Sequence, residues 1–157
     1  MRIAYRTLAL LIAAGVLVQA AAIAFAVFTI DNKVQAGSVF SSSTAANIGQ
    51  TVHGVVGAMV IPALAIIFLI VAFFARIPDG VKWAAIVVGL VALQIALAFV
   101  SFSAPIVGTL HGLNAFAVLG ASFNAAARVK AAPMSAADEA EAEGRSIIRR
   151  RSRSTSV

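Results

Sequence analysis

The run TVHGVVGAMVIPALAIIFLIVAFFA at residues 51–75 contains no Asp, Glu, Lys or Arg. A helix rises about 1.5 Å per residue, so roughly 20 apolar residues cross the hydrocarbon core of a bilayer. Three further stretches are long and apolar enough for this, at residues 7–30, 81–102 and 106–127. Because 61% of the chain is hydrophobic and only 11% is charged, we expect a membrane protein and not a soluble domain.

The four stretches predict an all-α fold, a transmembrane four-helix bundle of up-down-up-down topology over residues 1–130. The first stretch is longer than the apolar part of a signal peptide, so we expect it to be a retained span. In the second, Pro62 predicts a kink midway along the helix, and Ser43 or Thr44 is expected to cap its start. The composition of residues 131–157, acidic and then rich in Arg and Ser, predicts a disordered cytoplasmic tail.

The distribution of positive charge predicts the orientation. Outside the tail, most cations lie at the ends of the spans, at Arg2, Arg6, Arg76, Lys82, Arg128 and Lys130. By the positive-inside rule both termini are cytoplasmic and the chain is a multi-pass protein of the bacterial cell (inner or plasma) membrane. Tyr5 and Trp83 are then expected in the aromatic belt at the inner interface. Because the positive-inside rule explains these cations, the net charge of +6 does not indicate a nucleic-acid partner. The tail either reinforces the orientation or binds anionic lipid.

The chain reads as two copies of a helical hairpin. Thr51-Val52-His53-Gly54 opens the second span, and Thr109-Leu110-His111-Gly112 lies near the start of the fourth. The hairpin partners match as well, because Gly15 is followed by Gln19 in the first span and Gly89 by Gln94 in the third. In a bundle of two such hairpins, spans two and four are parallel and diagonal, so the only two histidines of the chain are expected to face each other.

Two facing neutral imidazoles are the ligand set of a six-coordinate haem b, which is suited to electron transfer. The absence of cysteine excludes thiolate sites. We therefore predict one haem b, used in electron transfer or haem handling, with no catalytic residue. The predicted iron ligands and contacts are His53, His111, Gly54, Gly57, Gly108, Gly112 and Asn114. The alternative is a non-catalytic subunit, or an assembly or scaffold protein, whose polar residues hold helices together.

One spacing argues against haem. Arg76 follows His53 by 23 residues, whereas Arg128 follows His111 by 17. If both arginines mark the inner interface, the two histidines differ in depth by about 9 Å. Helix tilt absorbs only part of such an offset.

The stretch from Gln94 to Phe102, continued by Leu110-His111-Gly112-Leu113-Asn114, resembles part of one four-helix half of heme A synthase. The whole unit is also similar to a group of four-span bacterial integral membrane proteins. The first resemblance implies a cytochrome b-like bundle with haem ligands at His53 and His111 near the outer face. Gln50 and Gly54 stand where the catalytic half of that family has glutamate and arginine, which weakens the case for haem oxidation. A haem near the outer face would exchange electrons with a quinol or a redox partner protein.

Overall fold

A computed structural model describes residues 1–131 of the chain. This part is all-helical, without a β-strand, which confirms the predicted all-α class. The four helices are α1 (Arg2–Gln35), α2 (Ile48–Ala75), α3 (Gly80–Ser101) and α4 (Val107–Ala131). Three of them, α1, α2 and α3, are long and apolar enough to cross a membrane. The predicted tail and its lipid binding fall on residues from 132 onward, outside the described residues.

The helices pack in chain order around a ring. Each helix packs against the next one, and α4 closes the ring by packing against α1. The start of α2 lies beside the later part of α1, where Asn47 Nδ2 donates to Ala26 O at 3.1 Å. The starts of α1 and α3 lie at the same end, where Tyr5 Oη donates to Gly80 O at 2.9 Å. Neighbouring helices are therefore antiparallel, and α2 and α4 are parallel on opposite corners.

The buried core fills the half of the bundle that contains the start of α1. Its largest fully buried side chains include Tyr5 and Phe68, whose ring centroids are 4.6 Å apart. Around them the helices approach closely on small residues, as is usual in membrane bundles; these are Ala9, Ala65, Ala72, Ala84, Ala121 and Ala125. The expectation that Tyr5 lies in an interfacial belt is wrong, because its side chain is fully buried and its hydroxyl is used inside the bundle.

Contacts at the same end join α4 to the start of α3. The guanidinium of Arg128 lies 5.4 Å from the ring centre of Trp83, and its Nη1 is 3.4 Å from Asp79 Oδ2. Trp83 is half-buried beneath this cation. Asp79 itself has a φ of 56° in the short connection between α2 and α3. The contacts of Arg128 explain how a charged side chain is accommodated in the last turns of α4.

Helix α2 begins earlier than the apolar run and is interrupted before its proline. Asn47 caps it, with Gln50 completing a capping box, so the expected cap at Ser43 or Thr44 is wrong. The sequence predicts a kink at Pro62, and the structure has a π-helical turn at Val56–Val60 directly before it. A proline has no N–H for the carbonyl one turn earlier, and a π turn is one way for a helix to accommodate such a break.

Candidate functional site

The structure brings the two histidines into contact. His53 lies in the second turn of α2 and His111 in the second turn of α4, at the end of the bundle opposite the core. Their ring centroids are 6.2 Å apart, and the ring planes make an angle of 60°. Both residues are partly buried. The diagonal arrangement of α2 and α4 thus creates a site with two imidazoles from opposite sides of the bundle.

The depth difference expected from the arginine spacing does not occur. An offset of about 9 Å along the bundle is incompatible with centroids 6.2 Å apart. The reason is that the two arginines are not equivalent. Arg76 follows the end of α2, whereas α4 continues past Arg128 to Ala131. Distances counted from these arginines therefore do not measure the relative depth of the histidines.

His111 is held by a closed hydrogen-bond network with α3. Its Nδ1 lies 3.0 Å from the backbone oxygen of Gln94, and the Gln94 side chain donates from Nε2 to His111 O at 2.9 Å. The same Nε2 lies 3.2 Å from His111 Nε2. Buried Asn114 donates to Leu90 O at 2.9 Å and to Gln94 Oε1 at 2.6 Å. Asn114, predicted as a cofactor contact, thus orients Gln94.

His53 makes only the first of these contacts. Its Nδ1 lies 3.1 Å from the backbone oxygen of Gln19, which occupies in the first hairpin the place that Gln94 has in the second. Within residues 1–131, no group hydrogen-bonds His53 Nε2. The Gln19 side chain lies beside the π-helical turn, and its buried Nε2 has no hydrogen-bond partner. The first hairpin therefore has one satisfied and one unsatisfied polar side chain where the second has a complete network.

Both histidines carry the proton on Nδ1 when neutral, because in each ring this nitrogen faces a backbone carbonyl that accepts a hydrogen bond. This tautomer leaves the lone pair on Nε2, the nitrogen that binds a metal in such an arrangement. The Gln19 and Gln94 carbonyls therefore fix the tautomer and the orientation of the two imidazoles. From the sequence, Gln19 and Gln94 were matched positions of the two hairpins and, in the alternative, residues that hold helices together, but they were not among the predicted cofactor contacts.

The four glycines predicted to make room differ in their surroundings. At Gly54 and Gly112, directly after the histidines, no heavy atom from elsewhere in the chain lies within 4 Å of the position of an added Cβ. At Gly57 an added Cβ would lie 2.8 Å from Gln19 Oε1, so this space is already filled. At Gly108 it would be 3.7 Å from the Ser101 hydroxyl, an ordinary contact. Of these four glycines, only Gly54 and Gly112 would thus carry a side chain into open space, and both are exposed residues.

The ring separation is compatible with one metal ion between the imidazoles. With metal–nitrogen bonds of about 2.0 Å, and each ring centre about 1.1 Å behind its nitrogen, the two centres are about 6 Å apart. Within residues 1–131, no group of three or more His, Cys, Asp or Glu side chains is placed to hold a metal ion. The pair thus supplies two ligands, which suits haem iron, since the macrocycle provides the other four. Binding at His111 also requires the Gln94 amide to leave its Nε2.

Comparisons with protein families, with curated proteins and with solved structures find no match for this chain.

Proposed function

We propose that this chain is a membrane protein that binds one haem b between His53 and His111. The observation that carries the proposal is the 6.2 Å separation of two imidazoles on diagonal helices, each with Nδ1 directed at a backbone carbonyl. Aromatic rings that merely pack also lie at such distances. The matched tautomers, with both lone pairs on Nε2, are what favours metal ligation.

In this proposal the Nε2 atoms of His53 and His111 would hold the haem iron, and Gly54 and Gly112, where an added Cβ meets open space, would leave room for the group. A haem held by two imidazoles would supply reversible one-electron transfer. The Gln19 and Gln94 carbonyls orient the two imidazoles that would hold it. The site lies near one end of the bundle, so a single haem does not reach across a hydrocarbon layer of about 30 Å. A quinol or a redox partner protein then donates or accepts the electron, unless the chain carries haem in transit.

We further propose that α4 crosses the membrane together with the other three helices, since it packs along both α1 and α3. The basic residues at the core end of the bundle then face the cytoplasm of a bacterial cell, with both termini. The histidine pair lies toward the outer face. A cysteine-accessibility experiment with single cysteines at Ser43 and Asp79 tests this orientation, because the chain has no cysteine of its own. The first position is expected to react with a membrane-impermeant maleimide in intact cells and the second only after lysis.

The test of haem binding is a visible spectrum. The protein is produced with haem precursor, purified in mild detergent and recorded as reduced-minus-oxidised absorbance. Sharp α and Soret bands are expected, and His53→Ala and His111→Ala should alter or remove them. Asn124→Ala is the matched control, because the exposed Asn124 bonds only to Gly120 O on its own helix. Folded but colourless protein, or identical bands in all variants, would refute the proposal.

A second function is favoured by the Gln94–Asn114–His111 network. Hydrogen bonds between polar side chains hold membrane helices together, each contributing about 1 kcal/mol. With three such side chains joining α3 to α4, the site is also what a non-catalytic subunit or scaffold protein would need. In that case the histidine variants lower stability in detergent and no haem is found.

A further inference from the structure

The two hairpins differ at one position that changes the chemistry of their histidines. Asn114 lies three residues after His111, and the residue three positions after His53 is Val56. We infer that Asn114 and Gln94 are positioning residues that keep His111 Nε2 covered, so that ligand binding at this pair begins at His53. As far as it concerns haem, the inference rests on the proposed function. The difference in accessibility exists without any cofactor.

Backbone carbonyls determine the direction of the hydrogen bonds that join Asn114, Gln94 and His111. Leu90 O accepts from the Asn114 amide nitrogen, so the Asn114 amide presents a donor toward Gln94 Oε1. The other end of the Gln94 side chain is then its NH₂ group, as its donation to His111 O also requires. This NH₂ group faces His111 Nε2 at 3.2 Å. It donates to the lone pair, and the lone pair is no longer available to an incoming ligand.

In the first hairpin this cover is missing. Val56 has no amide with which to orient Gln19, and the Gln19 side chain lies against the π-helical turn at Gly57. His53 Nε2 therefore keeps a free lone pair, although His53 and His111 are both partly buried. The buried, unpartnered Gln19 Nε2 is the cost of this arrangement. His53 is thus the ready ligand, and His111 becomes one only when Gln94 moves.

Reaction with diethyl pyrocarbonate tests the accessibility of each ring nitrogen in haem-free protein. The reagent forms a bond between its carbonyl carbon and an unprotonated imidazole nitrogen, and releases ethanol and carbon dioxide. His111→Ala leaves only His53 to react, and His53→Ala leaves only His111, so the two rates are measured separately by ultraviolet absorbance and mass spectrometry. We expect His53 to react about tenfold faster, which corresponds to ~1.4 kcal/mol of protection by a hydrogen bond.

Removing the positioning residues should abolish the protection. In the His53→Ala background, Asn114→Val, which copies the first hairpin, and Gln94→Leu are each expected to raise the rate of His111 to within about threefold of that of His53, since the covering hydrogen bond is lost. Asn124→Ala, on the same helix, should leave it unchanged. If His53 in the His111→Ala variant and His111 in the His53→Ala variant react at equal rates, the inference is overturned. The inference is also overturned if His111 still reacts slowly in the folded Asn114→Val and Gln94→Leu variants.

The visible spectrum and the two modification rates together distinguish failure of haem binding from failure of the order of ligation. If the protein is colourless and the rates still differ, only the haem proposal fails. If haem is bound, His53→Ala should lower the haem content by about tenfold more than His111→Ala, in line with the protection expected from one hydrogen bond. Haem-binding protein in which the two variants lose haem equally would contradict the order of ligation.

Discussion

Replacing Gly49 by alanine should separate α1 from α2 near the site. An added Cβ would lie 2.5 Å from Ala22 O, 2.9 Å from Ala26 N and 3.0 Å from Ala26 Cβ. Close C···O contacts in proteins are about 3.3 Å, so the helices must move apart by about 0.8 Å. Two hydrogen bonds between the same helices, Asn47 to Ala26 O and His53 with Gln19 O, would lengthen with them. Gly49→Ala therefore disturbs both packing and the orientation of His53.

Overpacking of this kind costs about 1–3 kcal/mol, and one weakened hydrogen bond adds about 1 kcal/mol. The higher helix propensity of alanine returns at most about 1 kcal/mol. We expect a net loss of ~1–3 kcal/mol in the free energy of unfolding, measured by denaturation in mixed micelles with the fluorescence of Trp83, the only tryptophan. Gly120→Ala is the control, since an added Cβ there has open space. If both variants unfold at the same free energy, the close approach of α1 and α2 is refuted.

Four further substitutions are predicted for the same assay. Tyr5→Phe keeps the ring but removes the hydroxyl that donates to Gly80 O, and should cost about 1 kcal/mol; no change would mean that the buried hydrogen bond contributes nothing. Gln19→Leu removes a buried donor without a partner and is expected to be neutral or stabilising, whereas Gln94→Leu should cost about 2 kcal/mol or more as its hydrogen bonds are lost; the reverse order would contradict the assigned network. Asn47→Ala removes the capping box and should cost about 1 kcal/mol. An unchanged free energy of unfolding would mean that solvent replaces the cap fully.

The helical fold and its order around the bundle could be predicted because apolar run length is a strong constraint in a membrane chain. Helix ends could not be predicted from apolarity alone. Helix α1 continues to Gln35, beyond the apolar run that ends at Ile30, because polar residues form helix as readily outside the hydrocarbon. The cap at Asn47 could have been predicted, since Asn followed three residues later by Gln has the pattern of a capping box. Ser43 and Thr44, a few residues earlier, are also residues that commonly cap helices.

Tyr5 shows the limit of assigning a side chain by depth alone. A tyrosine at a membrane boundary can face the headgroups or turn inward, and the choice depends on whether a partner for its hydroxyl lies within reach. Here Gly80, at the start of α3, offers its carbonyl. That partner is 75 residues away in the sequence, and no local pattern reveals it.

The histidine pair could be predicted from the repeat, but the difference between its members could not. Repetition predicts what two hairpins share, namely a histidine on one helix and a glutamine on its partner. It does not predict where the two hairpins differ, and here Val56 stands where the second hairpin has Asn114, while a π-helical turn lies beside Gln19. A polar network is satisfied only when every member has a partner. Because the first hairpin has no amide at Val56, Gln19 Nε2 is without an acceptor and His53 is without a cover. Departures from internal symmetry are therefore where function is most usefully sought in this chain, because identical hairpins would give two equally covered imidazoles and no ready ligand.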